Sequence, residues 1–272
     1  MMSQSYSNSD LPNIINAKVV DPPTIPGPVR RKWGMILGLT ALVFVGFFAS
    51  EAIVYYGAIL LKKLGVSFNL INESILSTIF SVVIYLLAIV IIIGIPWLVK
   101  KYKTTIEELG FLRLPSWMDI LITPAGLIVY VISSAIISLI FFKIFPGMNI
   151  NQAQEVGFSD LTQKYQYILA FITLVIVTPI AEETLFRGYL FGKLKKYHIP
   201  VWIAMIVTSV LFGAIHGQWN LAIDTFVLSM VMCLLRQITG NLWAPILLHM
   251  VKNGIAYYIL FINPLFLTTL GS

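Results

Sequence analysis

Residues 173–191 read TLVIVTPIAEETLFRGYLF. The stretch is apolar enough to lie in lipid, yet Glu182, Glu183 and Arg187 sit inside it. An ionisable group within a bilayer costs about 3 kcal/mol on insertion scales unless it is paired or functional. Two further runs repeat the anomaly. VWIAMIVTSVLFGAIHG (201–217) carries His216, and LWAPILLHMVKNGIAYYILF (242–261) carries His249, Lys252 and Asn253. Worked outward from the first run, the chain reads as an all-α, polytopic transmembrane helix bundle with a polar site inside it.

Composition agrees. Of 272 residues, 58% are hydrophobic and only 11% charged, against about 25% charged in soluble domains, and the mean hydropathy is +0.88. This leaves no room for a sizeable soluble domain. Apolar runs of about 18 residues or more mark about seven spans: 34–61, 75–99, 118–142, 166–191, 200–217, 220–238 and 242–263. The fifth and sixth are nearly contiguous, so their junction near Gly217 is either a tight turn or a broken helix. Residues 264–270 are apolar but too short to span. The single cysteine, Cys233, rules out an internal disulfide and a cysteine metal cluster.

A net charge of +6 would suit nucleic acid, but the basic residues flank the spans, so no nucleic-acid partner is expected. Lys18, Arg30, Arg31, Lys32, Lys100, Lys101, Lys103, Arg113, Lys193, Lys195, Lys196 and Arg236 fall on one side of the bundle. Lys62, Lys63, Lys143 and Lys164 fall on the other, and Arg187 and Lys252 lie within spans. Twelve against four puts the amino terminus in the cytoplasm of a multi-pass cell-membrane protein. Residues 1–33, polar and proline-bearing, read as a flexible cytoplasmic tail with no signal-peptide core, and 34–272 as the transmembrane domain. The connector YKTTIEELGFLRLPSW (102–117) is amphipathic and suits the cytoplasmic interface, where Trp97 and Trp117 are expected as anchors.

Helical spacing sorts the polar residues. Glu183 and Arg187 are four apart, as are Phe212 and His216, and His249 and Asn253, so each pair shares a helix face. Glu182 is rotated about 100° from Glu183, so the two carboxylates have different jobs. Pairing with Arg187 neutralises Glu183 in low dielectric and leaves Glu182 for chemistry. Glu182 lies 15 residues before Tyr197 and His216 lies 16 after Pro200, about 22 and 24 Å from the turn between them. His249 and Asn253 lie 8 and 12 residues after Asn241, about 12 and 18 Å along the last span. These depths permit one site.

A carboxylate with a histidine can hold and deprotonate water. A second histidine with an asparagine amide can donate hydrogen bonds to an oxyanion. No nucleophile stands beside a base; Ser209 is two turns before His216. The set fits hydrolysis of an acyl bond with water as direct nucleophile. Glu182, His216 and His249 would also make the His₂Glu set of a catalytic zinc. The chain has no HExxH helix, however, and an asparagine suits a metal-free scheme, so no cofactor is expected. Lys252 leaves three positions open: beside Asp224, beside Glu183, or reaching the cavity. Glu51 and Asp224 are expected near the outer interface, His198 in an interfacial loop, and Arg236 snorkelling to the cytoplasmic face.

The strings Glu182-Glu183-Thr-Leu-Phe-Arg187, Phe212-Gly-Ala-Ile-His216 and His249-Met-Val-Lys-Asn253 resemble the motifs of the CPBP family, which comprises CAAX proteases and bacteriocin-processing proteins and includes the type II CAAX prenyl endopeptidases. The resemblance covers residues 165–255; upstream, only LGFLRLP (109–115) is similar. It implies an intramembrane glutamate endopeptidase acting on a peptide or membrane-protein substrate in the lipid bilayer. In that scheme Glu182 activates water with His216 as its partner, and His249 and Asn253 stabilise the oxyanion. Glu183 and Arg187 are scaffold, and Phe212 packs against the site. The family also implies an alternative without turnover, as a bacteriocin-immunity or abortive-infection membrane protein.

Overall fold

The computed structural model describes residues 29–69, 71–147, 158 and 161–263. Most of the tail expected over 1–33, and the apolar stretch 264–270, lie outside the described residues. Among those described, the secondary structure is helical: α1 (Val29–Lys63), α2 (Glu73–Val99), α3 (Ile106–Leu109), α4 (Trp117–Ile144), α5 (Lys164–Lys196), α6 (Val201–Ala214), α7 (Trp219–Thr239) and α8 (Trp243–Ile262). Helix α1 begins at Val29. Six of these helices are long and apolar enough to cross a membrane. Helix α6 has 14 residues, about 21 Å, and is shorter than the roughly 20 residues a bilayer core needs. The fifth span expected over 200–217 is therefore a short apolar helix.

Local sequence sets the boundaries. The Asn72 side chain accepts the Ser74 amide at the start of α2 (2.9 Å). Ser116 and Asp119 form a reciprocal capping box that opens α4, and Arg113 pairs with the same buried Asp119. Helix α6 stops because Gly217 adopts φ +69°, a left-handed conformation that glycine reaches without strain. The Gly217 junction is thus a tight turn.

Helix α5 is the centre of the bundle. Half of its apolar window is buried, against 11% in α2 and in α4. Its carboxyl-terminal half packs Leu185, Phe186, Leu190, Phe191 and Leu194 into one core with Phe212 of α6, Leu228 and Met232 of α7 and Leu248 of α8. Two segments of α5 widen into π-helix, Ile172–Val177 and Thr184–Leu190. They flank Thr178–Glu183, the turn that carries both glutamates. Single π-turns concentrate at functional sites because they re-aim side chains and free backbone groups.

The connector between α2 and α4 docks against this core. Gly188 of α5 lets it approach: a Cβ there would stand 2.8 Å from the Leu109 carbonyl. Gly110 accepts the Leu242 amide (3.0 Å), and the Trp243 indole donates to the Arg113 carbonyl (2.7 Å). Lys193 and Lys196 of α5 both hold Glu108. Trp97 and Trp117, expected as interface anchors, are exposed at 49% and 78%.

Candidate active site

The structure brings Glu182, His216, His249 and Asn253 to the wall of one cavity of about 380 Å³ between α1, α2, α5, α7 and α8. Each side chain is held by a different local device.

Glu183 faces away from the cavity. It is fully buried, as is Arg187, and its Oε1 accepts from Arg187 Nη1 at 2.7 Å. The same oxygen takes His249 Nδ1 at 2.9 Å. A carboxylate can only accept, so His249 Nδ1 carries a hydrogen and its Nε2 is turned toward the cavity, 3.8 Å from Glu182 Oε2. One residue earlier, Glu182 presents its carboxylate to the cavity, and its Oε1 accepts from the Tyr85 hydroxyl of α2 at 2.6 Å.

His216 lies just past the last turn of α6. There the chain tightens: the His216 amide bonds the Gly213 carbonyl (3.2 Å), leaving the Phe212 carbonyl without its usual i+4 backbone donor. His216 Nδ1 takes that carbonyl at 2.7 Å. Phe212 ties the two halves of the site together. Its fully buried ring lies under the Arg187 guanidinium at 4.3 Å. The ring is 5.0 Å from the His216 ring and 5.9 Å from the His249 ring. Cation–π and edge contacts of this kind fix ring planes as well as adding energy.

Asn253 is held through a defect in α5. In the first π-segment the Thr178 amide bonds the Thr173 carbonyl. The next residue in register is Pro179, which has no amide hydrogen, so the Leu174 carbonyl lacks its backbone donor. Asn253 Nδ2 donates to it at 2.9 Å, which leaves the second amide hydrogen of Asn253 uncommitted by that bond.

The remaining polar residues are placed as follows. Glu51, expected near the outer interface, lines the cavity. Tyr85 was not singled out, although a tyrosine in mid-span needs a partner for its hydroxyl. Lys252 lines the cavity and lies beside Asp224, 3.9 Å from its Oδ2. Arg236 donates to the Gly240 carbonyl at the end of α7. Ser209 is fully buried and is not part of the cavity wall. His198 is exposed in the turn between α5 and α6, with φ +56°.

A multi-pass helical membrane protein with two glutamates, two histidines and an asparagine gathered inside its bundle defines the class. Comparison with known proteins agrees with the resemblance to the CPBP family of CAAX proteases and bacteriocin-processing proteins. The family model for type II CAAX prenyl endopeptidase, Rce1-like, matches residues 164–255. Over 144 residues the chain is 26% identical to the membrane-embedded CAAX protease MroQ of Staphylococcus aureus (strain USA300), covering 51% of this chain and 57% of that one. It is 26% identical over 136 residues to the putative membrane peptidase YdiL of Bacillus subtilis (strain 168), covering 50% and 54%. An uncharacterised 24.3 kDa protein of Escherichia coli shares 34% identity over 87 residues, 30% of this chain and 40% of that one. The chain thus spans about half the length of the curated relatives it matches. No solved structure matches it.

Proposed function

We propose that the protein is an intramembrane endopeptidase of the glutamate type, in which water attacks the peptide carbonyl directly. The observation that carries this reading is a carboxylate only 6% exposed, opening on a cavity that it shares with two imidazoles and a carboxamide. Tyr85 engages Glu182 Oε1 and leaves Oε2 to take a proton from water. The water oxygen bonds to the carbonyl carbon, the carbonyl oxygen becomes an oxyanion, and the C–N bond breaks as Glu182 passes the proton to the departing nitrogen. His216 shares the water with Glu182. The second amide hydrogen of Asn253 and an N–H of His249 stabilise the oxyanion. With Nδ1 of His249 given to Glu183, Nε2 is the nitrogen turned toward the oxyanion.

No cofactor enters this scheme. A zinc reading has one point in its favour: both histidines engage Nδ1, on Glu183 and on the Phe212 carbonyl, the outer-shell pattern of metal-bound imidazoles. Asn253, which is not a residue of the His₂Glu ligand set, lines the same cavity and suits an oxyanion site, so the metal-free scheme is the one we propose. The substrate is proposed to be a peptide or membrane protein entering from the bilayer, and the amino terminus to face the cytoplasm, on the distribution of Lys and Arg about the spans.

The test is a proteome-wide comparison of protein termini in cells carrying the wild type or Glu182→Ala. New termini present only with the wild type are expected. Identical termini, with any phenotype retained by Glu182→Ala, would reject proteolysis in favour of a binding role such as bacteriocin immunity.

A further inference from the structure

The cavity wall carries a cation that the proposed chemistry does not use. Lys252 follows His249 by three residues on α8, directly before Asn253, and lines the same cavity. Its side chain is 18% exposed. Among the described residues it has one ionic contact, Asp224 Oδ2 at 3.9 Å, well beyond the 2.7–2.9 Å of a charge-assisted hydrogen bond. Asp224 takes its hydrogen bonds elsewhere. The Tyr130 hydroxyl donates to its two oxygens at 2.7 and 2.9 Å, and Ser134 Oγ donates at 2.7 Å. Helix α4 therefore supplies the acid's hydrogen bonds, Lys252 balances its charge from 3.9 Å, and the three ammonium donors of Lys252 remain available to whatever enters the cavity.

We propose that Lys252 is an anion-recognition residue that takes a carboxylate of the bound peptide. This deepens the endopeptidase reading and rests on it. Lys252 stands about 4.5 Å along the helix from His249, and an extended peptide advances about 3.3–3.6 Å per residue. A carbonyl held at His249 and Asn253 then places the carboxylate within about three residues of the scissile bond. Glu51 and Glu182 on the other walls repel an acid placed beside them, whereas an acid beside Lys252 meets a cation that Asp224 approaches only to 3.9 Å. The carboxylate is either the free end of the chain or an aspartate or glutamate side chain.

Three dansylated hexapeptides of leucine and alanine separate these sources: one ending in a free acid, one in an amide, and one amidated with an aspartate next to the last residue. Binding is measured to detergent-solubilised full-length Glu182→Gln protein. At least one of the two acidic peptides is expected to bind about 10-fold or more tightly than the neutral amide, the scale of one hydrogen bond to a charged group, and the preferred one identifies the source. Adding Lys252→Gln should erase the preference, and Lys252→Arg should keep most of it. Equal binding of all three peptides, or none of any, by the protein that retains Lys252 overturns the proposal. So does a preference that survives Lys252→Gln. Wild-type cleavage of the neutral peptide reports on the endopeptidase reading alone. An acid preference in binding without cleavage of any peptide keeps the role of Lys252 and removes the protease.

Discussion

Glu182 and Glu183 are neighbours in sequence and belong to different regions of the molecule. Glu183 sits in a closed knot, fully buried, with one oxygen shared by Arg187 and His249 and the Phe212 ring against the guanidinium. Glu182 faces the cavity, held by a single phenol. One step of about 100° around a helix separates a carboxylate locked in a buried pair from one that opens on the cavity. The difference teaches that the knot is what keeps the cavity in register. His249 has its Nδ1 in the knot and its Nε2 toward Glu182, so in the proposed scheme the buried region aims the reactive one.

The strongest way to break that contrast is Glu182→Gln. The amide keeps shape and can still accept from Tyr85, but it cannot take a proton. Turnover should fall by about 10⁴-fold, the upper range for a general base, with folding and substrate affinity largely intact. Kinetics on purified protein, with thermal unfolding alongside, check this. Near wild-type turnover removes Glu182 from the role of base.

Asn253→Ala comes next. Loss of an oxyanion donor should lower turnover by about 10²–10³-fold with little change in affinity. The Leu174 carbonyl would also lose its donor, costing about 1–3 kcal/mol of stability. Single-turnover cleavage measured beside substrate binding distinguishes the roles. If binding weakens as much as cleavage slows, Asn253 positions substrate. If only stability changes, it is a clamp between α5 and α8.

Glu183→Gln strikes the knot instead. Arg187 would be left as an unpaired buried cation, at a cost of about 3–5 kcal/mol, read as a lower unfolding temperature and poor expression. Activity per folded molecule should fall less than in Glu182→Gln, through a misaimed His249. A stable but inactive Glu183→Gln would mean that the two glutamates have their roles reversed.

Much of this was legible in the sequence, for a physical reason. Helical periodicity acts within one segment, so the Glu183–Arg187 spacing alone indicated the pair that the structure shows at 2.7 Å. Hydropathy acts over a whole span, so helix ends came within a few residues. What stayed illegible involves contacts between segments distant in sequence. Nothing local links Tyr85 to Glu182, 97 residues away, or His249 to Glu183, 66 away. The anchor of Asn253 is a backbone carbonyl released by a π-turn and Pro179, and no side-chain pattern encodes it. Glu51 could have been placed only by knowing that α1 borders the cavity. The early end of α6 followed from a glycine conformation that the apolar run concealed.

The smallest expected effect tests how far the knot depends on the connector docked behind it. Burial works against ionisation of Glu108, but the hydrogen bonds and charges of Lys193 and Lys196 outweigh it and hold the carboxyl below its ordinary range. A carboxyl depressed in the folded state adds stability above its unfolded value, about 4.3 for glutamate, and that stability is lost as pH falls through the folded value. Glu108→Gln should therefore be less stable than wild type by under about 1 kcal/mol at neutral pH, since the group is partly exposed. The gap should hold down to about pH 5, shrink below the unfolded value, and vanish once the folded carboxyl is protonated. Denaturant unfolding of both proteins at pH 7, 5 and 3 measures it. A gap that stays the same at pH 3 would show that the glutamate contributes shape, and that its two lysine contacts do not hold the connector against α5.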